Sequence, residues 1–281
     1  SSDVCSSDLS LFRGLVMKSD YIFCVDSDGC AMDTMTYKHK LFFGPLAADV
    51  FGVKDREAFL TEWNRVNLYS RTRGINRFVG LVKGLEFAGV TGVENLKKWV
   101  STTDSLSNAS LEKMLAEQPT KDLELALKWS NQVNQAIKNY NGPVLAFIGV
   151  HKGLERLSRL GKVYVVSSAN KEAVEEEWID QGLMDFVTEL YCQDRGKKED
   201  VIKLLIGQGH DPNTILIIGD SPGDLKAAEL NQVHFYPILV GQEMQSWADL
   251  TEKIADDFTN QKFTAEREKE LIQAFWKNLD D

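Results

Sequence analysis

The sequence predicts an α/β protein. A doubly wound parallel sheet is interrupted, directly after its first strand, by an all-helical insert. Three observations carry that prediction. Short apolar runs rich in Val, Ile, Phe or Tyr recur at wide intervals, at 21–25, 163–166, 186–190, 214–218 and 233–239, each of strand length. Helical patterns closed by glycine separate the later runs. The interval 35–143 holds one helical pattern after another with no convincing strand between them.

In chain order, the first run, Tyr21 to Val25, is apolar throughout and stops at Asp26 and Asp28, as a strand buried on both faces does at its end. Inside the insert, "YKHKLFFGPLAADVFG", "DREAFLTEWNRVNLY", "RFVGLVKGLEFAG" and "TKDLELALKWSNQVNQAIKNY" are the main helical stretches, and the small polar segment 101–110, "STTDSLSNAS", reads as a loop. Aromatics such as Phe42, Phe43 and Trp63 fit the packing of the insert. "GLERLSRLG" sets Leu154, Leu157 and Leu160 on one face and ends at Gly161, a helix stop. "NKEAVEEEWIDQG" starts at a capping Asn170, its acid run being a solvated face, and "KKEDVIKLLIGQG" runs to Gly209. "SPGD" is a helix start, with Ser221 as cap, Pro222 in the first position and Asp224 as the capping-box acid. Two helical stretches follow residue 241, the last ending in "REKELIQAFWKNL". The expected division is a core of 17–34 and 144–245, an insert of 35–143, and C-terminal helices over 246–281 that pack on the core.

The chain has 281 residues, 43% hydrophobic and 26% charged, with a formal net charge of -10. Such a surface repels nucleic acid and anionic membranes, and a small anionic substrate needs a local positive site. No apolar run has the length of a membrane span. The opening "SSDVCSSDLS" lacks a signal peptide's apolar centre and reads like translated sequencing-adapter DNA. Residues 1–16 are therefore expected to be an artefact or a disordered tail, with Met17 the natural start. Apart from Cys5 in that segment, Cys24, Cys30 and Cys192 are an odd set without CxxC spacing, which suits reduced cytoplasmic thiols better than zinc or disulfides. His39, His151, His210 and His234 sit in no ligand spacing.

The acidic pair at the end of the first strand is the feature that asks for chemistry. Two carboxylates at a buried strand end repel each other and lose hydration unless a cation compensates. Mg²⁺ takes one or two carboxylates together with phosphate oxygens, so the pair predicts a metal and the metal predicts a phosphate. The remaining strands end in matching groups. The second ends at Ser167, with Ser168 next to it; the third is followed by Lys197 and Lys198, opening a helix; the fourth ends at Asp220, with Asp224 four residues on. Taken singly, the serines read as a helix cap, the lysines as solvated residues, and the acids as surface groups. Their order, with each at or just past the end of its own strand, is what makes the series specific. A calcium loop is disfavoured, because Cys30 and Ala31 stand where that pattern needs Asp or Asn and then Gly.

In these residues the chain resembles the haloacid dehalogenase-like hydrolases, aspartate-nucleophile phosphatases with a Rossmann-like core. "DSDGCAMDT" is close to that family's DxDGTLxDT, with Cys30 in place of the common Thr. The resemblance covers 21–34 and roughly 144–240, and the insert resembles the family's helical cap but is longer than common versions. It implies Asp26 as nucleophile, Asp28 as general acid and base, and Ser167 and Lys198 as groups that neutralise the transferring oxygens. Lys198 is preferred to Lys197 because Val201 and Ile202 follow it at the family's spacing. Ser168 and Lys197 stand beside them as substrate-contacting candidates. The resemblance also implies Mg²⁺ held by Asp26, the Asp28 carbonyl and Asp220, with Asp224 either orienting those ligands or touching the ion itself.

The implied reaction is hydrolysis of a small phosphomonoester in the cytoplasm. A phosphomutase shares every core motif. A non-catalytic protein would be expected to have lost Asp26, Asp28 or Lys198, and a phosphoreceiver carries its nucleophile on a different strand. No insert lysine has a local signature for Schiff-base phosphonate chemistry. The insert stretch "NRVNLYSRTRGINRF" concentrates Arg65, Arg71, Arg73 and Arg77, and Arg71 and Arg73 are candidates for holding a second anionic group of the substrate.

Overall fold

The computed structural model describes residues 20–279. The expectations about residues 1–16, Met17 and Cys5 lie outside that range. A strand forms in each predicted run: β1 (Ile22–Val25), β2 (Lys162–Val166), β3 (Glu189–Tyr191), β4 (Ile215–Gly219) and β5 (His234–Pro237), the third starting later than its run of 186–190 because a 3-10 turn takes Met184–Phe186. They make one parallel sheet in the order β3-β2-β1-β4-β5. This is a doubly wound order, distinct from the 2-1-3-4-5 order of receiver modules.

The chain winds outward from β1 through β2 to β3, then crosses back to β4 and β5. β1 and β4 therefore flank the switch point, where such sheets open a crevice at their carboxyl ends. Val25 lies opposite Val165 on one side and Ile218 on the other. Asp26, Ser167 and Asp220 consequently emerge one or two residues beyond the same level of the sheet.

Alternation along the strands explains why the apolar runs are unbroken. Phe23, Val25, Val165 and Ile218 enter one buried cluster with Leu154, Leu157 and Trp247. Ile22, Cys24, Val166 and Ile217 enter a second cluster on the opposite face, with Ile202, Leu225 and Phe275. Both faces are covered, so both sets of side chains are apolar. The C-terminal helix Ala265–Asn278 closes the second face, where Phe275 meets Phe235 edge to face at 5.6 Å between ring centres.

The insert forms the all-helical cap and has a core of its own around Phe59, Trp63, Phe78, Trp99 and Trp129. The buried Trp129 indole donates to the Phe43 carbonyl (3.0 Å), which satisfies the one polar atom that ring carries. Two π-helical turns, Lys38–Phe43 and Arg65–Tyr69, interrupt the α-helices of the cap; such turns re-aim the side chains that follow them.

One local expectation needs correction. The segment 101–110 is not one loop: helix Glu94–Thr102 enters it and helix Asn108–Glu117 leaves it, with only 103–107 between them. Ser107 caps the second helix by accepting from the Ser110 amide (3.2 Å), so the polar composition marks a cap as well as a loop. The helix built on "GLERLSRL" begins at Val150, directly after the left-handed Gly149 (φ 98).

Candidate active site

β1 ends at Val25, and the Asp26 amide still donates to the Ile218 carbonyl of β4 (2.9 Å). Beyond it the chain folds over itself. The amides of Cys30, Ala31 and Met32 turn back to the Ser27 carbonyl, and Gly29 adopts φ 83. That left-handed conformation suits a residue without a side chain. A Cβ on Gly29 would come within 2.6 Å of both the Arg73 guanidinium and the Asp220 carboxylate. The turn is braced from behind, where the Trp178 indole donates to Ser27 Oγ (2.8 Å), the Trp247 indole donates to the Cys30 carbonyl (2.9 Å), and Cys30 Sγ donates to the Ile218 carbonyl (3.5 Å).

Asp26, Asp220 and Asp224 are all buried and offer carboxylate oxygens within 4.8 Å of one another. Lys198 joins them, its Nζ lying 2.9 Å from Asp26 Oδ1 and 2.6 Å from Asp224 Oδ1. Lys197, the residue before it, is exposed. Asp224 is fully engaged: its Oδ2 accepts from the Ser221 amide (3.1 Å) and hydroxyl (2.7 Å) in the predicted capping box, while Oδ1 takes Lys198. Asp220 is only half engaged. Its Oδ2 accepts from Arg73 Nε (2.7 Å), but its buried Oδ1 has no hydrogen-bond partner.

The charges respond to this crowding. Burial pushes the Asp26 carboxyl well above the ordinary carboxylate range; Lys198 pulls it back, and Asp224 and Asp220 push it further up. Burial likewise raises Asp220, with Arg73 opposing and Asp224 adding to the rise. For Lys198, burial opposes the charged form, but Asp224 and Asp26 outweigh it and hold the ammonium charged. Asp26 is thus not an ordinary carboxylate ionised without help, as its residue type alone suggests. Three buried carboxylates, one of them with an orphaned oxygen, are a donor set that fits a hard divalent cation: the added positive charge would favour ionised Asp26 and Asp220.

Asp28 stands apart from that trio. Lys38 Nζ donates to its Oδ1 (2.9 Å), the Thr34 hydroxyl donates to the same atom, and Lys38 lies 3.6 Å from Glu177. Burial alone would raise the Asp28 carboxyl, but Lys38 and Thr34 outweigh it and hold it below its usual range. Sequence reading missed Lys38, Thr34 and Glu177 as neighbours of Asp28. Thr34 lies inside the quoted first motif, and Lys38 follows it one helical turn later, which was the available signal.

Ser167 is buried at the end of β2, and its Oγ accepts from the Ala169 amide (3.1 Å); Ser168 is exposed. Neither serine caps the next helix, since Asn170 does so through the Ala173 amide (3.1 Å). The two arginine candidates separate. Arg73 is buried against Asp220, whereas Arg71 carries its guanidinium over the Trp276 ring of the C-terminal helix (5.1 Å). His39, given no role from sequence, packs on Phe43, and its Nδ1 accepts from the Trp63 indole (3.1 Å). Burial, reinforced by Arg73, pushes it down to about 3, so it stays neutral in the cap wall.

Comparisons with known proteins agree with this geometry. The family described as haloacid dehalogenase-like hydrolase matches residues 92–238, just over half of the chain. Among solved structures, a haloacid dehalogenase-like hydrolase of Streptococcus pneumoniae is 17% identical, with a TM-score of 0.50 over 83% of this chain and 92% of that one. A protein of Haemophilus somnus assigned as a phosphoglycolate phosphatase is 14% identical, with a TM-score of 0.53 over 84% and 98%. A protein of Thermotoga maritima assigned as a beta-phosphoglucomutase is 14% identical, with a TM-score of 0.50 over 84% and 99%. At these identities the likeness is one of fold. No curated protein matches the sequence. Topology, acidic cluster and family match together make this chain a member of the haloacid dehalogenase-like hydrolases.

Proposed function

We propose that the chain is a Mg²⁺-dependent phosphatase that hydrolyses a small phosphorylated metabolite through an aspartyl-phosphate on Asp26. The observation that carries this reading is the buried trio Asp26, Asp220 and Asp224, with the Lys198 ammonium bridging two of its members, at the sheet's switch point. Asp26 Oδ attacks phosphorus, forming an O–P bond as the bond to the departing alkoxide breaks. Asp28 gives that alkoxide the proton it gained from the water of the preceding turnover and, ionised again, takes another from the water that opens the phosphoenzyme. The state held by Lys38 and Thr34 is the ionised one, which accepts the proton of water.

Lys198 draws charge from the transferring oxygens, and the Ser167 hydroxyl, at the end of β2, donates to them. Bound to Asp26, the Asp28 carbonyl and Asp220, Mg²⁺ would neutralise the charge of phosphate against these carboxylates. Asp224, with both oxygens occupied, orients Lys198 and supports the cluster. The proposed division follows the buried clusters: core 17–34 and 144–245, cap 35–143, and a C-terminal segment 246–281 laid on the core. A net charge of -10 argues against nucleic acid as a partner, and among the described residues no helix is long and apolar enough to cross a membrane. The buried free thiols Cys24, Cys30 and Cys192 suit a cytoplasmic setting.

The test is phosphate release from a panel of phosphorylated metabolites, with Mg²⁺ and with EDTA. The proposal expects Mg²⁺-dependent release of inorganic phosphate that Asp26→Asn abolishes. Turnover that survives either EDTA or Asp26→Asn contradicts it, and a phosphorylated isomer as sole product would reassign the reaction to a mutase.

A further inference from the structure

Resting on the phosphatase reading above, we propose that Arg77 of the cap receives a second anionic group of the substrate. The enzyme then selects phosphomonoesters that carry a carboxylate or a second phosphate over those with a neutral tail. The stretch 65–77 holds four arginines, and three have partners elsewhere. Arg65 pairs with Glu62 (2.8 Å), Arg73 pairs with Asp220 (2.7 Å), and Arg71 lies over the Trp276 ring (5.1 Å). Arg77 is held by neutral groups. Its Nη1 donates to the Ser130 hydroxyl (3.0 Å) and the Asn134 side-chain carbonyl (2.7 Å), and its guanidinium covers the Phe43 ring (4.9 Å).

That setting is electrostatically unfavourable for a cation. Burial pushes Arg77 down to about 10, and no carboxylate among the described residues opposes the fall. Arg77 also opens the helix Arg77–Phe87, directly after its capping Asn76, where the helix's own partial charge is positive. A bound anion relieves both penalties at once. The donors for it are present. A guanidinium has five N–H groups, and Nη1 supplies only two of them. Those on Nε and Nη2 have no protein partner and are not sealed from solvent. They form the edge that grips a carboxylate or phosphate through two parallel bonds.

The site adjoins the catalytic cluster. His39 stacks on the same Phe43 ring (4.7 Å), and its Nδ1 accepts from the Trp63 indole (3.1 Å). The neutral ring therefore carries its proton on Nε2, an N–H that is also without a protein partner and not sealed from solvent. The charges of Arg77, Arg73 and Asp28 all act on that ring, so His39 and Phe43 join Arg77 to the wall that faces Asp28. Along the chain, Arg77 is four residues from Arg73, a span of at most about 14 Å, and Arg73 touches Asp220. A small metabolite with its phosphoryl group at Asp26 can reach that far.

The test compares propyl phosphate with its terminal-carboxylate analogue and with the corresponding bisphosphate, as kcat/KM in the presence of Mg²⁺. The wild type should favour the esters with a second anion by about tenfold or more. Arg77→Met should bring those ratios close to one, with Arg77→Lys in between. A preference for only one of the two esters supports the inference and identifies the anion. A wild type without preference overturns it, and so does a preference that persists in folded Arg77→Met. Should Arg77→Met fail to fold, the ¹⁵N-labelled Arg77 Nε–H resonance of the wild type decides, assigned with Arg77→Lys. It should move on titration with the non-hydrolysable phosphonates that carry a second anion and stay in place with propyl phosphonate; a resonance that ignores all of them overturns the inference. Turnover of propyl phosphate with no effect of a second anion sinks this inference alone. Absence of turnover with every ester sinks the phosphatase reading first and this one with it.

Discussion

Gly29 shows how much a single position can carry. Its φ of 83 is one that other residues adopt at a cost of roughly 1–2 kcal/mol, and its missing side chain leaves room for Arg73 and Asp220. Gly29→Ala should therefore lower the melting temperature by about 2–4 °C for each kcal/mol lost in a protein of this size. Part of that loss should be recovered in Gly29→Ala/Arg73→Met, because one of the two crowding groups is then gone. Equal melting temperatures for wild type and Gly29→Ala would show that neither the backbone nor the contact matters. Cys30 illustrates a milder departure: where the family commonly has Thr, its buried thiol donates weakly to the Ile218 carbonyl.

Elements were legible where the signal is local. The central strands β1, β2 and β4 announced themselves by apolar runs because both faces of the sheet are covered there. The helix after β4 was readable down to its capping box, whose Ser221 and Asp224 are only three residues apart. What could not be read was contact between distant residues. Nothing near Arg73 in sequence points to Asp220, and nothing near Lys38 points to Glu177; the cap has to fold and close before either pair exists. Asp122 is another such case. It opens the helix Lys121–Lys138 and accepts from the amides of Leu96 (2.8 Å) and Leu123 (3.1 Å) and the Thr120 hydroxyl (2.7 Å), tying that helix to Glu94–Thr102.

Burial alone would raise the Asp122 carboxyl, but those donors outweigh it and hold it below its usual range. A folded value below the unfolded one stabilises the protein above roughly pH 3.9, and this stabilisation is lost as pH falls through the folded value. Asp122→Ala should cost about 1–3 kcal/mol at pH 7, with the gap to wild type in thermal melts narrowing below about pH 4. A gap that stays constant with pH would mean that the contribution of Asp122 is steric.

At the scale of the molecule, the sheet gathers acids and the cap answers with cations. Asp26, Asp28, Asp220 and Asp224 come from two strand ends of the core; Lys198 comes from a core helix, and Lys38 and Arg73 from the cap. A chain of net charge -10 thus gathers three cations, each paired to a carboxylate, at the place where an anion is expected. The most direct test of the account is acid-quenched mass spectrometry of the enzyme mixed with a turned-over phosphomonoester and Mg²⁺. The account predicts a phosphoryl group on the peptide carrying Asp26, accumulating in Asp28→Asn and absent in Asp26→Asn. A phosphoryl group on any other residue, or turnover with none on Asp26, would contradict it.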